Sequence, residues 1–268
     1  MERKTTFATK ASALILCFVM ALSAAFCINV TTSHAAAKTI NVLMIGNSLT
    51  YSPKSKANNK SIERLKSLGS YSGYNLNVKY IAYGGEKLAT YANSSKSRGK
   101  ECEKLINSRV WDVVVLQEET DRAIKDPSLF KEAAKELAKK IKAKNPKAKI
   151  LMNCTWAYDK KMYGYSHAEQ QKKMNANYKN TASAIGASVV YSGNAFDKYR
   201  SSGGTYELYL SDKNHATREG CYLNACCLYL GITGKSPVGI KYHYPVGVAQ
   251  GTFMQKIAEQ YSKSMTHD

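Results

Sequence analysis

The run Ile40-Asn41-Val42-Leu43-Met44-Ile45-Gly46-Asn47-Ser48-Leu49-Thr50 decides how this chain is read. Residues 40–45 are short and nearly all apolar, the pattern of a strand covered on both faces. Gly46-Asn47-Ser48 then breaks the run, so a serine falls where a strand gives way to a helix.

Outward from there the pattern repeats. Apolar runs at residues 77–83, 110–116 (the strongest), 148–154 and 187–191 complete five strands, with helical stretches between them. The clearest helix opens at Asp126-Pro127, a capping residue followed by proline at the first helical position. It carries Leu129, Phe130, Ala133, Ala134, Leu137, Ala138 and Ile141 on one face and stops before Pro146. A second helix covers about residues 168–185 and ends at Gly186. Residues 217–230 are apolar nearly all round, as in a buried helix, with Gly231 as its end, and 252–261 form the last. Parallel strands alternating with helices predict one α/β domain, an open three-layer α/β/α sandwich. Ligands gather outside the carboxyl ends of such strands, where the strand order reverses. Ser48, the pair Gly84-Gly85 and Gln117 each fall just past a strand end.

Ser211-Asp212-Lys213-Asn214-His215 supplies the complement to Ser48. A serine hydroxyl needs a base, usually an imidazole at neutral pH, and the base needs an acceptor on its other nitrogen. Asp212 and His215, three residues apart in a turn, can supply both. The α/β-hydrolase pattern fits poorly, because Thr50 stands where the second glycine of its Gly-x-Ser-x-Gly elbow belongs, and that fold places its nucleophile well inside the domain rather than after the first strand.

The N-terminus reads as an address. Arg3, Lys4 and Lys10 precede a nearly uncharged apolar stretch at residues 11–30, and Ala35-Ala36-Ala37 offers small residues for cleavage. Residues 1–37 therefore read as a secretory signal peptide, with an uncleaved anchor as the alternative, and 38–268 as the mature domain. Bulky Leu16 and Phe26 before Cys17 and Cys27 speak against lipid attachment. The expected location is extracellular, with no stable membrane insertion after cleavage.

The whole chain carries +19, and the mature part +17 from 36 basic and 19 acidic residues. Such charge attracts polyanions, and an anionic cell-wall polymer is the expected partner surface. Lys131, Lys135, Lys139 and Lys142 recur opposite an apolar stripe, however, as a solvated helix face does. No zinc finger, aromatic RNA-binding motif or dimeric basic helix is visible, so nucleic acid is not an expected partner. The five mature cysteines, Cys102, Cys154, Cys221, Cys226 and Cys227, are odd in number and irregular in spacing. They read as buried apolar residues rather than a disulfide framework. The histidines show no metal-binding spacing, so neither a metal nor another cofactor is expected.

On these motifs the mature region resembles, over essentially its whole length, the SGNH hydrolases of the GDSL esterase/lipase superfamily. Gly46-Asn47-Ser48 matches the first block, with Ser48 as nucleophile and one oxyanion N–H. The second block contributes a glycine N–H to the oxyanion hole, here Gly85 or, failing that, Gly84. Asp212 and His215 match the Asp-x-x-His block. The resemblance implies a flavodoxin-like sandwich. The third block departs: where the family has Gly-x-Asn-Asp, this chain has Leu116-Gln117-Glu118-Glu119. Gln117 offers the same amide one methylene further out, as a third oxyanion donor, and Glu118 and Glu119 read as exposed strand-end carboxylates. The function implied is a secreted serine esterase acting on O-acyl or O-acetyl groups of a carbohydrate or cell-wall polymer. An O-acyltransferase on the same fold and a non-catalytic glycan-binding protein are the alternatives.

Overall fold

A computed structural model describes residues 37–52 and 60–263. Apart from Ala37, the expected signal peptide lies outside the described residues. Among the described residues five strands form one sheet: β1 (Lys38–Gly46), β2 (Tyr74–Ala82), β3 (Val113–Leu116), β4 (Lys149–Cys154) and β5 (Ser188–Tyr191). Their order is β2-β1-β3-β4-β5, and every pair is parallel. The helices are α1 (Ser48–Tyr51), α2 (Lys60–Ser70), α3 (Leu88–Ala92), α4 (Ser97–Asn107), α5 (Thr120–Lys125), α6 (Pro127–Lys144), α7 (His167–Ala184), α8 (Ser192–Ser201), α9 (Arg218–Thr233) and α10 (Gly247–Tyr261).

Alternation along β1 divides the core. Val42 and Met44 join Leu65 of α2, Phe196 of α8, Leu223 of α9 and Met254 of α10 on one face. Leu43 and Ile45 face the other way, toward Tyr91 of α3, Cys102 of α4, Ile124 of α5, Phe130 of α6 and Tyr178 of α7. A strand that buries both sets needs a continuous apolar run, and β1 has one. The expected three-layer α/β/α sandwich with a five-stranded parallel sheet is therefore the observed fold.

Local boundaries differ for physical reasons. β3 begins at Val113, because Val110 is exposed and the Trp111 N–H is bonded to Asn145 Oδ1 rather than to a strand. β2 begins earlier than its apolar run, carried by a nine-residue register with β1 from Lys38↔Tyr74 to Gly46↔Ala82. Gly231 does not end its helix. It lies inside α9, where a β-carbon would come within 2.5 Å of Val190 Cγ2, so it lets the helix approach β5 closely. The stop is Gly234, at φ +70°, where the left-handed conformation favours glycine. Cys102, Cys154, Cys221, Cys226 and Cys227 are buried free thiols.

Order β2-β1-β3 reverses direction at β1, so the crevice for a ligand opens above the carboxyl ends of β1 and β3. The turns carrying Ser48 and Gln117 leave from those two ends.

Candidate active site

Asn47 starts the nucleophile turn. Its Oδ1 accepts the Leu49 N–H at 3.1 Å, capping α1, and its Nδ2 donates to Glu86 O at 3.1 Å, beyond the Gly84-Gly85 turn. Tyr91 adds a second tie between the two turns: its hydroxyl donates to Gly46 O at 2.8 Å and accepts the Tyr83 N–H at 3.0 Å. The first and second blocks are thus joined through two side chains. Gly85 itself is exposed and holds φ +68°, a conformation open to glycine at no steric cost.

Gln117 lies beneath the nucleophile turn, almost wholly buried. Its Oε1 accepts the Asn47 N–H at 3.0 Å and the Thr50 hydroxyl at 2.8 Å, and its Nε2 donates to Glu118 O. An amide nitrogen carries two hydrogens, so one N–H remains beyond the Glu118 bond. Gly46 is required by this arrangement: a β-carbon there would meet Thr50 Oγ1 at 2.3 Å and Gln117 Oε1 at 2.6 Å. Gln117 buckles the end of β3 to the turn after β1, a role that the amide chemistry of its side chain alone did not reveal.

Glu118 is not the exposed carboxylate that its strand-end position suggested. It is fully buried. Its Oε1 accepts N–H groups from Leu88 at 3.2 Å and Glu119 at 2.7 Å, while Oε2 has no hydrogen-bond partner among the described residues. Burial pushes the carboxyl up, to about 7. Glu119 is half-buried and caps α5 through Asp121 and Arg122 N–H. The folded chain thus holds the Glu118 proton to about 7, whereas an unfolded glutamate releases it near ~4.3. Stability from this group is full below the unfolded value and is lost as pH rises through about 7. Glu118→Gln keeps an acceptor for both N–H groups and removes the titration. Urea denaturation should show the variant gaining up to about 3 kcal/mol on the parent between pH 4 and pH 8; parallel pH dependences would refute this.

The three residues expected to act together are together. Ser48 Oγ lies 2.9 Å from His215 Nε2, and His215 Nδ1 lies 2.8 Å from Asp212 Oδ2. A carboxylate only accepts, so Nδ1 carries the proton and Nε2 is left to accept the serine hydroxyl. Asp212 Oδ1 accepts the backbone N–H groups of Asn214 at 3.0 Å and His215 at 2.9 Å. Partial burial pushes the Asp212 carboxyl up, but the N–H groups and the imidazole outweigh it and hold the group well below the usual carboxylate range. It therefore remains an anion wherever an imidazole can act as base. Chemically, a hydroxyl, a base of fixed tautomer and an anionic orienter are in line.

His167 also faces a carboxylate, Asp197, at 2.6 Å. Its other nitrogen is taken by Tyr158 O at 2.9 Å, so the two ring nitrogens tie the start of α7 to α8 and to the loop after β4. Among the described residues, no group of three or more His, Cys, Asp or Glu is placed to hold a metal ion.

No protein-family model matches the chain, and no curated protein does. Solved structures do. A DUF4886 family protein from Bacteroides uniformis aligns over 82% of this chain and 93% of its own, with a TM-score of 0.69 and 19% identity. A protein assigned to the SGNH hydrolases, from Slackia heliotrinireducens, aligns over 72% of this chain and 99% of its own, with a TM-score of 0.61 and 26% identity. This chain has the SGNH-hydrolase fold. A mutant of Axe2, an acetyl-xylooligosaccharide esterase from Geobacillus, shares that fold at 13% identity, a TM-score of 0.54, and coverage of 72% and 94%. Among the described residues, no helix is long and apolar enough to cross a membrane.

Proposed function

We propose that the protein is an exported serine esterase that removes a small acyl group, such as acetate, from a carbohydrate or cell-wall polymer. The observation that carries the reading is the line of hydrogen bonds Ser48–His215–Asp212 at the end of the sheet where the strand order reverses. Ser48 Oγ attacks the ester carbonyl as His215 Nε2 takes its proton. The oxyanion is held by the N–H groups of Ser48 and Gly85, with Gly84 as the alternate, and by the remaining N–H of Gln117. His215 returns the proton to the leaving alcohol. The acyl-enzyme is then hydrolysed by a water that gives its proton to His215, freeing the acid and Ser48.

The substrate class rests on the basic mature region and on the export signal at residues 1–37. Purified residues 38–268 should hydrolyse short p-nitrophenyl esters, react with a fluorophosphonate, and release acetate from acetylated polysaccharide. The protein in culture supernatant should begin between Ala36 and Thr39. Fluorophosphonate labelling with acetate moved to a second sugar, in place of free acetate, would make it an acyltransferase; absence of labelling would make it a binding protein. Full-length chain in the membrane fraction would mean an anchored enzyme.

A further inference from the structure

The peptide units between Asp212 and His215 are held from outside their turn. Lys213 sits at φ +61°, a left-handed conformation that brings a residue's β-carbon too close to the following carbonyl oxygen. Such a conformation persists where neighbouring bonds over-determine it. From inside, Asp212 Oδ1 takes the Asn214 and His215 N–H groups. The carbonyls of Lys213 and Asn214 are both taken by the segment that follows β4. The Asp159 N–H donates to Lys213 O at 2.8 Å, and the Trp156 indole N–H donates to Asn214 O at 2.7 Å.

Both donors are themselves fixed. Trp156 is fully buried and stacked on Phe196 of α8, with centroids 4.1 Å apart. The Asp159 carboxylate is the acceptor for Lys213 Nζ at 3.2 Å and lies 2.8 Å from an Arg200 nitrogen. Burial pushes that carboxyl up, but Lys213 and Arg200 outweigh the effect and hold it low, so the brace keeps its charge at neutral pH.

We propose that Trp156 and Asp159 are positioning residues that aim the His215 imidazole at Ser48. The nucleophile turn is buckled to β3 through Gln117, and the base turn is clamped to the end of β4. The parallel register of β1, β3 and β4 therefore sets the distance between the two halves of the triad. The inference rests on the proposed Ser48–His215–Asp212 chemistry. It goes beyond it by assigning the aim of the base to a segment that touches no reacting atom.

Trp156→Phe keeps a ring to stack on Phe196 and deletes one N–H. A misplacement of about 1 Å costs about 10²-fold in rate. The variant should therefore lose about 10- to 100-fold in kcat, with KM within about two-fold of the parent. Asp159→Asn keeps its backbone N–H and weakens only the ionic brace, a small contribution for a partly solvated pair, so kcat should fall less, about three-fold. In proton NMR the low-field resonance of the His215 Nδ1–H should broaden or move upfield in Trp156→Phe, and less in Asp159→Asn. A merely structural role would lower the melting temperature and leave kcat per folded molecule and the resonance unchanged. That result, or a rise in KM alone, would overturn the proposal. Should Trp156→Phe fail to fold, Asp159→Asn decides. A parent protein that shows the low-field proton but turns over no ester would sink the esterase reading instead, while the resonance shifts would still test the clamp.

Discussion

Ser48→Ala and His215→Ala should each lower esterase turnover by about 10³-fold or more while leaving the protein folded. The expectation follows from the geometry on each side of the imidazole. With the serine gone, no covalent acyl-enzyme can form, and a residual rate over water comes only from the oxyanion donors and from binding. Without the imidazole, Ser48 Oγ has lost the acceptor 2.9 Å away, and the hydroxyl is a poor nucleophile. Because the two residues act as one unit, the double variant should be about as slow as either single one. Initial rates on a short p-nitrophenyl ester, with circular dichroism to verify folding, make the comparison. Near-parental turnover in Ser48→Ala would remove Ser48 from the chemistry.

These two residues were legible in the sequence because their signals are local. A serine after a buried apolar run and an aspartate three residues before a histidine need no knowledge of the fold, and the sheet follows from the spacing of runs that must be covered on both faces. Residues whose role lies in long-range contacts were not legible in the same way. Asn47 looks like an ordinary turn residue until its amide is found bridging 39 residues along the chain to Glu86. Nothing local marks Trp156 and Asp159, since Asn214 lies 58 residues beyond Trp156 and Lys213 lies 54 beyond Asp159 along the chain. Glu118 reads as exposed because a carboxylate after a strand usually is. Its burial follows from the N-terminus of α3 folding over it, so that Leu88 donates to its oxygen. Gly231 reads as a helix stop because glycine often is one, whereas here it is a close contact with Val190.

Gln117 is where this chain departs from the SGNH pattern; the structure shows it bracing the nucleophile turn, and the proposed mechanism adds a second, separable duty as oxyanion donor. Its Oε1 buckles the nucleophile turn through Asn47 and Thr50. Its amide nitrogen, after the bond to Glu118 O, has one N–H left for an oxyanion. Gln117→Ala removes both functions. It leaves a buried N–H and a buried hydroxyl without their acceptor, at about 1–3 kcal/mol each, so the melting temperature should fall along with kcat. Gln117→Glu separates the duties. One carboxyl oxygen can still accept from Asn47 and Thr50. The other sits against the Glu118 carbonyl, and burial together with that contact raises the carboxyl pKa, so the group is held protonated. Its single O–H then replaces the bond to Glu118, and no hydrogen remains for the oxyanion. Losing one oxyanion donor costs about 10²–10³ in turnover. Gln117→Glu should therefore melt near the parent yet lose about that factor in kcat, with KM little changed. If it keeps parental kcat while Gln117→Ala loses both rate and stability, the amide is a buckle only, and the oxyanion is held by backbone N–H groups alone.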